Sequence, residues 1–333
     1  MYSNNNYSFV WITAFALLTS MVSCESASST LKEKVDIVRG CMDTNALNYD
    51  SLSTEDDGSC QYYGCTDSSA YNYDPDATND DGNCISPSLV PDGWELVWND
   101  EFNADAINEA KWNHESWAPG RVNNELQEYT RNLQNSGVNQ GYLYITARKN
   151  NPFDAANPVY NSARMHTRRK GDWKYGRVEV RAKMPRGQGL WPAIWMMPSY
   201  SVYGGWPVSG EIDIMEFLGH DLSRVYGTIH YGNYYPDKSS TGTSYVLPAG
   251  DFSESFHTFA LEWEANELRW YVDDILYQTL NNWYSIGGEY PAPFDQEFHL
   301  ILNVAVGGEW PGNPDPSTLF PQTMLVDYVR IFQ

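Results

Sequence analysis

Residues 210–217 read GEIDIMEF and set three carboxylates, Glu211, Asp213 and Glu216, at spacings of two and then three. Paired carboxyls suit one kind of chemistry: one moves a proton while the other attacks or stabilises developing positive charge, as in cleavage of a glycosidic bond. The retaining form of that reaction needs the two groups about 5 to 5.5 Å apart. Side chains alternate faces along a strand, so Glu211 and Asp213 share a face and Glu216 falls on the other. A helix would pair Asp213 with Glu216, but Gly210 and Gly219 bracket too short a run, and Ile212 and Ile214 favour a strand. In an unbroken strand Glu216 would join the two isoleucines among apolar side chains. A β-bulge at Ile214–Met215 removes the conflict, because one extra residue resets the alternation and returns Glu216 to the face of the other two. The glutamates then stand about 13 Å apart at Cα on a flat strand, a gap that side chains leaning inward on a curved sheet would largely close. Asp213 between them would help keep Glu216 protonated, since adjacent carboxylates resist ionising together. The plainer reading is a charged strand face turned to water.

The elements that must hold this run are strands. From about Pro87 onward, short alternating or apolar runs recur between turn residues, among them WELVWNDEF, GYLYITARK, GRVEVRAKM, RVYGTIHYG, HTFALEWEA and FHLILNVAV. Arg177–Arg181 and Leu268–Val272 alternate cleanly. Helix-period segments are scarce, so the region reads as an all-β antiparallel sandwich or barrel.

Several segments in order resemble one family. Glu211-Ile212-Asp213-Ile214-Met215-Glu216 is similar to the E-x-D-x-x-E signature of glycoside hydrolase family 16. NNELQEYT (123–130), GLWPAIWMMP (189–198), GTIHYG (227–232), NVAVGGEWPG (303–312) and PQTMLVDYVRIF (321–332) resemble that family's laminarinases. The resemblance covers roughly residues 90–333. It implies a jelly-roll sandwich of two curved antiparallel sheets with a concave substrate cleft. It also implies a retaining endo-β-1,3-glucanase with Glu211 as nucleophile, Glu216 as acid/base and Asp213 as helper, needing no catalytic cofactor. Met215 is the extra residue that many mixed-linkage glucanases lack. Agar- and carrageenan-cutting relatives also carry it, so mixed-linkage glucan, agar and carrageenan stay open as substrates. A carbohydrate-binding protein without catalysis, or a calcium-dependent adhesion protein, is the alternative of another class.

Apolar sugar faces pack on aromatic rings while hydroxyls take hydrogen bonds. Trp191, Trp195 and Trp310 in the matched segments are expected to contact substrate, with Trp117 and Trp206 as further candidates. His230, Asn124, Glu125, Arg164 and Asn303 are expected to fix hydroxyls or brace the glutamates. By resemblance, Glu101, Gly141 and Asp327 mark a structural calcium site on the convex side. No His/Cys cluster suggests zinc, and neither a phosphate-cradling loop nor G-x-S-x-G is present.

The N-terminal part divides further. Residues 8–23 form an apolar run short for a spanning helix and better suited to a signal peptide (1–23). Met21-Val22-Ser23-Cys24 resembles a lipoprotein cleavage box, which would make Cys24 a lipidated N-terminus on a bacterial outer membrane or cell surface; simple secretion is the alternative. A polar tether (24–38) follows. Residues 39–86 hold two copies of a unit that repeats with a period of 24, Gly40–Cys60 and Gly64–Cys84, sharing Gly-Cys, Asn-Tyr-Asp, Asp-Asp-Gly and a closing Cys. Units this small need a staple. Pairing Cys41 with Cys60 and Cys65 with Cys84 is the simplest of three possibilities. Their aspartates form either a calcium site or a solvated spacer. The catalytic region (87–333) has no cysteine. With 43 acidic against 21 basic residues, a net charge of −22 disfavours nucleic-acid partners. The expected state is a monomer acting on a polysaccharide.

Overall fold

The structure is a computed structural model that describes residues 37–151 and 159–333. The signal segment, Cys24 and most of the tether lie outside the described residues. Among those described, no helix is long and apolar enough to cross a membrane, and the only helical turn is the short Pro87–Leu89 segment.

Two large sheets face each other. One runs in the order Lys238–Val246, Arg224–Gly232, Glu211–Phe217, Leu190–Pro198, Phe298–Val306, Arg164–His166, Asn113–His114. The other is built around Ile275–Leu280, Glu267–Val272, His257–Glu264, Gly176–Lys183, Gln322–Phe332 and Tyr142–Lys149. Every pairing within them is antiparallel except that of Tyr160–Ser162 with Gln127–Tyr129. The fold is the jelly-roll sandwich that the strand pattern and the resemblance imply.

Alternation decides what each sheet buries. Phe298, Leu300, Leu302, Val304 and Val306 enter the core, where Ile194, Met196, Ile212 and Phe217 meet Val180, Phe259, Leu261 and Trp270. Each such side chain contributes about 1.5–3 kcal/mol on burial. The same alternation turns His299 and Asn303 to the opposite, cleft side of their strand. That strand is buried along its whole length, so even its polar side chains sit under other groups.

The two repeats are stapled separately, Cys41 to Cys60 and Cys65 to Cys84. Each also pairs two short strands in parallel, Arg39–Gly40 with Glu55–Asp56 and Tyr63–Gly64 with Asn79–Asp80. Their aspartates build turns. Asp43, Asp50, Asp56 and Asp57 each accept the backbone N–H two residues on, and Asp67, Asp74, Asp80 and Asp81 repeat the pattern. The second unit docks on the sandwich: Asn83 accepts the Glu101 N–H at 3.0 Å, Asn103 donates to the Gly82 carbonyl, and Ile85 is buried.

Candidate active site

The Glu211–Phe217 strand carries the bulge that its spacing requires. Against Arg224–Gly232, Glu211 faces His230, Asp213 faces Thr228 and Glu216 faces Tyr226, so Ile214 and Met215 together oppose Gly227. Against Leu190–Pro198, the register slips between Trp195–Asp213 and Ile194–Met215. Ile214 and Met215 both lie in the core, and Glu216 returns to the face of Glu211 and Asp213. All three carboxylates line one cleft with Trp191, Trp195 and Asn303.

A bulge frees ladder carbonyls, and buried carbonyls need partners. Two come from the opposing sheet, through the core. Trp270 Nε1–H donates to the Asp213 carbonyl at 2.9 Å, and the Gln278 amide donates to the Gly227 carbonyl at 3.2 Å. A side chain at Gly227 would meet Trp270 Cδ1 at 2.6 Å. Glycine therefore lets the indole reach the bulge.

Burial raises all three carboxyls, and each is opposed by a different set of neighbours. Burial, then the Asp213 charge, pushes Glu211 up to about 7, against the pull of His230 and of the Trp206 indole N–H that donates to it. Asp213 is also raised to about 7 by burial, opposed by a hydrogen bond with Glu211 and by the Lys238 charge. Glu216 is raised well above the usual range by burial, then by the Asp213 and Glu211 charges, although Trp191 Nε1–H donates to it at 3.1 Å. A carboxyl that keeps its proton near neutrality can serve as a general acid. His230 Nε2 lies 3.3 Å from Asp213 Oδ2.

The remaining expected residues divide. Arg164 lies between the Trp117 and Trp195 rings, 4.3 and 4.5 Å from their centroids, with Nε 2.7 Å from Glu115. Trp195 Nε1–H donates to Asn303 Oδ1 at 2.7 Å, and Asn303 donates to the Tyr129 hydroxyl at 3.1 Å. Glu125 accepts from Asn123 and Gln127. Trp310, 41% exposed, packs edge-on against Trp191 and Tyr226. Asn124 departs from expectation: it donates to Glu309 and does not line the cleft between the carboxylates, where Asn123 stands instead. Both have left-handed backbone, φ 50° and 55°, so the tight turn exchanges which side chain points inward. Tyr129, Glu115 and Lys238 had not been singled out. Tyr129 falls within the family-like NNELQEYT run, a signal that could have found it, whereas the contacts of Glu115 and Lys238 arise across strands. At the expected calcium positions, both Glu101 oxygens face Arg330 at 3.0 and 2.9 Å, and Arg181 engages Asp327.

Comparison with known proteins follows the same lines. Residues 121–330 match the glycosyl hydrolases family 16. The chain is 44% identical over 250 residues to a beta-glucanase of Rhodothermus marinus, covering 72% of this chain and 85% of that one. It is 41% identical over 261 residues to glucan endo-1,3-beta-glucosidase A1 of Niallia circulans, covering 72% of this chain but only 38% of that longer protein. Among solved structures, the catalytic domain of an endo-1,3-beta-glucanase (laminarinase) from Thermotoga petrophila aligns with a TM-score of 0.64 at 45% identity, over 72% of this chain and 98% of that one.

Proposed function

The chain belongs to glycosyl hydrolase family 16, and from that premise we propose that it is a retaining endo-β-1,3-glucanase acting on laminarin-type glucan. The observation that carries the reading is the bulge, which brings Glu211 and Glu216 to one cleft with Asp213 between them. In the first step Glu216 protonates the glycosidic oxygen as the Glu211 carboxylate attacks the anomeric carbon. The C–O bond breaks and a glycosyl ester forms on Glu211. In the second step the Glu216 carboxylate takes a proton from water, whose oxygen displaces Glu211 and regenerates both groups. Asp213 charge favours the protonated form of Glu216 before the first step, and the indole N–H of Trp191 steadies the carboxylate left after it.

A neutral glucan suits the cleft. Arg164 and Lys238, the cations beside the carboxylates, are already engaged by Glu115 and His230. Trp191, Trp195 and Trp310 supply ring surface for sugar faces. Product sizing on laminarin, lichenan, agarose and carrageenan tests the substrate, with Glu211→Gln as control. Equal turnover by E211Q, or products of inverted configuration by early NMR, would refute the reading.

Two further parts of the proposal concern the rest of the chain. The resemblance alone supports a structural calcium at Glu101, Gly141 and Asp327, held through main-chain carbonyls, because Arg330 and Arg181 occupy the Glu101 and Asp327 carboxylates. A thermal midpoint that does not respond to EGTA and added calcium would remove this assignment. The chain is exported and anchored through a lipid on Cys24, which radiolabelled palmitate incorporation, lost in Cys24→Ser, would test.

A further inference from the structure

We propose that Lys238 fixes the ring proton of His230 on Nε2, so that the imidazole donates to Asp213 while Nδ1 is held as an acceptor. The inference rests on the reading of Asp213 as the helper carboxylate, and it makes Lys238 a positioning residue for it.

Lys238 opens the strand beyond Arg224–Gly232. It pairs with Gly232, and Ser240 pairs with His230. Positions two apart share a face, so Lys238 and His230 are diagonal neighbours on the same side of the sheet. Lys238 Nζ lies 3.0 Å from His230 Nδ1. An ammonium has three donors and no acceptor, so this contact is a hydrogen bond only when Nδ1 presents its lone pair. The neutral ring must then carry its proton on Nε2.

That proton has a destination. Nε2 is 3.3 Å from Asp213 Oδ2. This oxygen is buried and forms no well-aligned hydrogen bond among the described residues, the contact with Nε2 included, so a proton on Nε2 would serve an oxygen otherwise left bare. The opposite tautomer would turn the Nε2 lone pair toward carboxylate lone pairs and leave a buried acceptor without any donor in reach.

The ring is enclosed by charge. Glu211 and Asp213 face it from one neighbouring strand and Lys238 from the other, with ligand atoms of Glu211, Asp213 and His230 all within 4.8 Å of one another. Lys238 does a second thing from the same position. Its ammonium lies 5.4 Å over the Trp206 ring, and the Trp206 indole N–H donates to Glu211. One lysine thus orients the donors to two of the three carboxylates.

The test reads the tautomer directly. Long-range 1H–15N correlation on 15N-histidine-labelled protein at pH 8, with a His230→Gln spectrum for assignment, should show His230 protonated on Nε2 only. Lys238→Arg, again a pure donor, should keep that tautomer and most of kcat. Lys238→Gln offers an amide oxygen that accepts from Nδ1–H, and should shift the ring to that form or a mixture. Its kcat on laminarin should fall about tenfold with KM within about twofold, since the loss is one of alignment. An Nδ1–H tautomer in the native protein, an unchanged tautomer in K238Q, or a changed tautomer with full kcat would each overturn the proposal. The spectrum needs no substrate, so a protein inactive on every glucan offered would still decide it.

Discussion

Trp270→Phe removes one hydrogen-bond donor and part of one ring from a fully buried position on the sheet that does not carry the carboxylates. The lost donor served the Asp213 carbonyl, and leaving that oxygen buried without a partner costs about 1–3 kcal/mol. Shrinking the ring adds about 1 kcal/mol for the space left behind. The sum is about 2–4 kcal/mol. At roughly 2–4 °C per kcal/mol for a domain of this size, the thermal midpoint should fall by roughly 4–16 °C. A matched control sits on the same sheet: Trp263 is equally buried, and its indole N–H donates to the Phe294 carbonyl at 2.9 Å, away from the bulge. Trp263→Phe should lose similar stability. The two should part in kinetics. With its brace gone, the bulge shifts Glu216 relative to Glu211, and displacements approaching 1 Å cost on the order of tenfold to a hundredfold in rate. Turnover of laminarin, measured well below both midpoints, should therefore fall at least about tenfold in W270F and less than about twofold in W263F. Equal kcat in the two variants would refute the idea that Trp270 positions the catalytic strand, whatever their stabilities.

Other consequences follow from the carboxylates and the staples. Glu216→Gln should lower kcat by about 10²–10⁴, the usual worth of a general acid/base, as read by steady-state kinetics on laminarin. Because Glu211 is raised from 4.5 to about 7, the folded protein keeps a proton that the unfolded chain releases; stability therefore falls as pH rises through that window and levels off above it. Glu211→Gln should accordingly raise the thermal midpoint by about 2–6 °C at pH 7.5 and leave it unchanged near pH 4, which calorimetry would check. Trp191→Phe removes a donor that lowers Glu216, so the acid form should persist further and the alkaline limb of the kcat/KM profile should move to higher pH. Replacing Cys41 and Cys60 by serine should free the first repeat to unfold, at a cost of about 3 kcal/mol within that unit. Laminarin turnover should change less than about twofold, and proteolytic nicking confined to residues 39–60 is the readout.

The strands from Pro87 onward were legible because alternation is a local property, written in runs such as Arg177–Arg181. Turn chemistry in the repeats was equally local, since each aspartate serves a backbone group two residues away. The bulge was legible for a related reason. Parity along GEIDIMEF allows either a stray Glu216 or one extra residue, and the family-like segments around the run favour the extra residue.

What sets the protonation and aim of those carboxylates was not legible. Trp270 lies 57 positions from Asp213 along the chain, and Asn303 lies 108 from Trp195. Lys238 reaches His230 only because two strands pair in one register and no other. By itself the sequence determined that the carboxylates lie on a strand of an antiparallel all-β region, because alternation acts residue by residue; that Glu216 shares a face with the other two was fixed by the register of the neighbouring strand. Which donor meets each oxygen, and how deeply each carboxyl is buried and so holds its proton, was decided by the packing of one sheet on the other and by strand register. Those depend on long-range contacts that no short segment encodes.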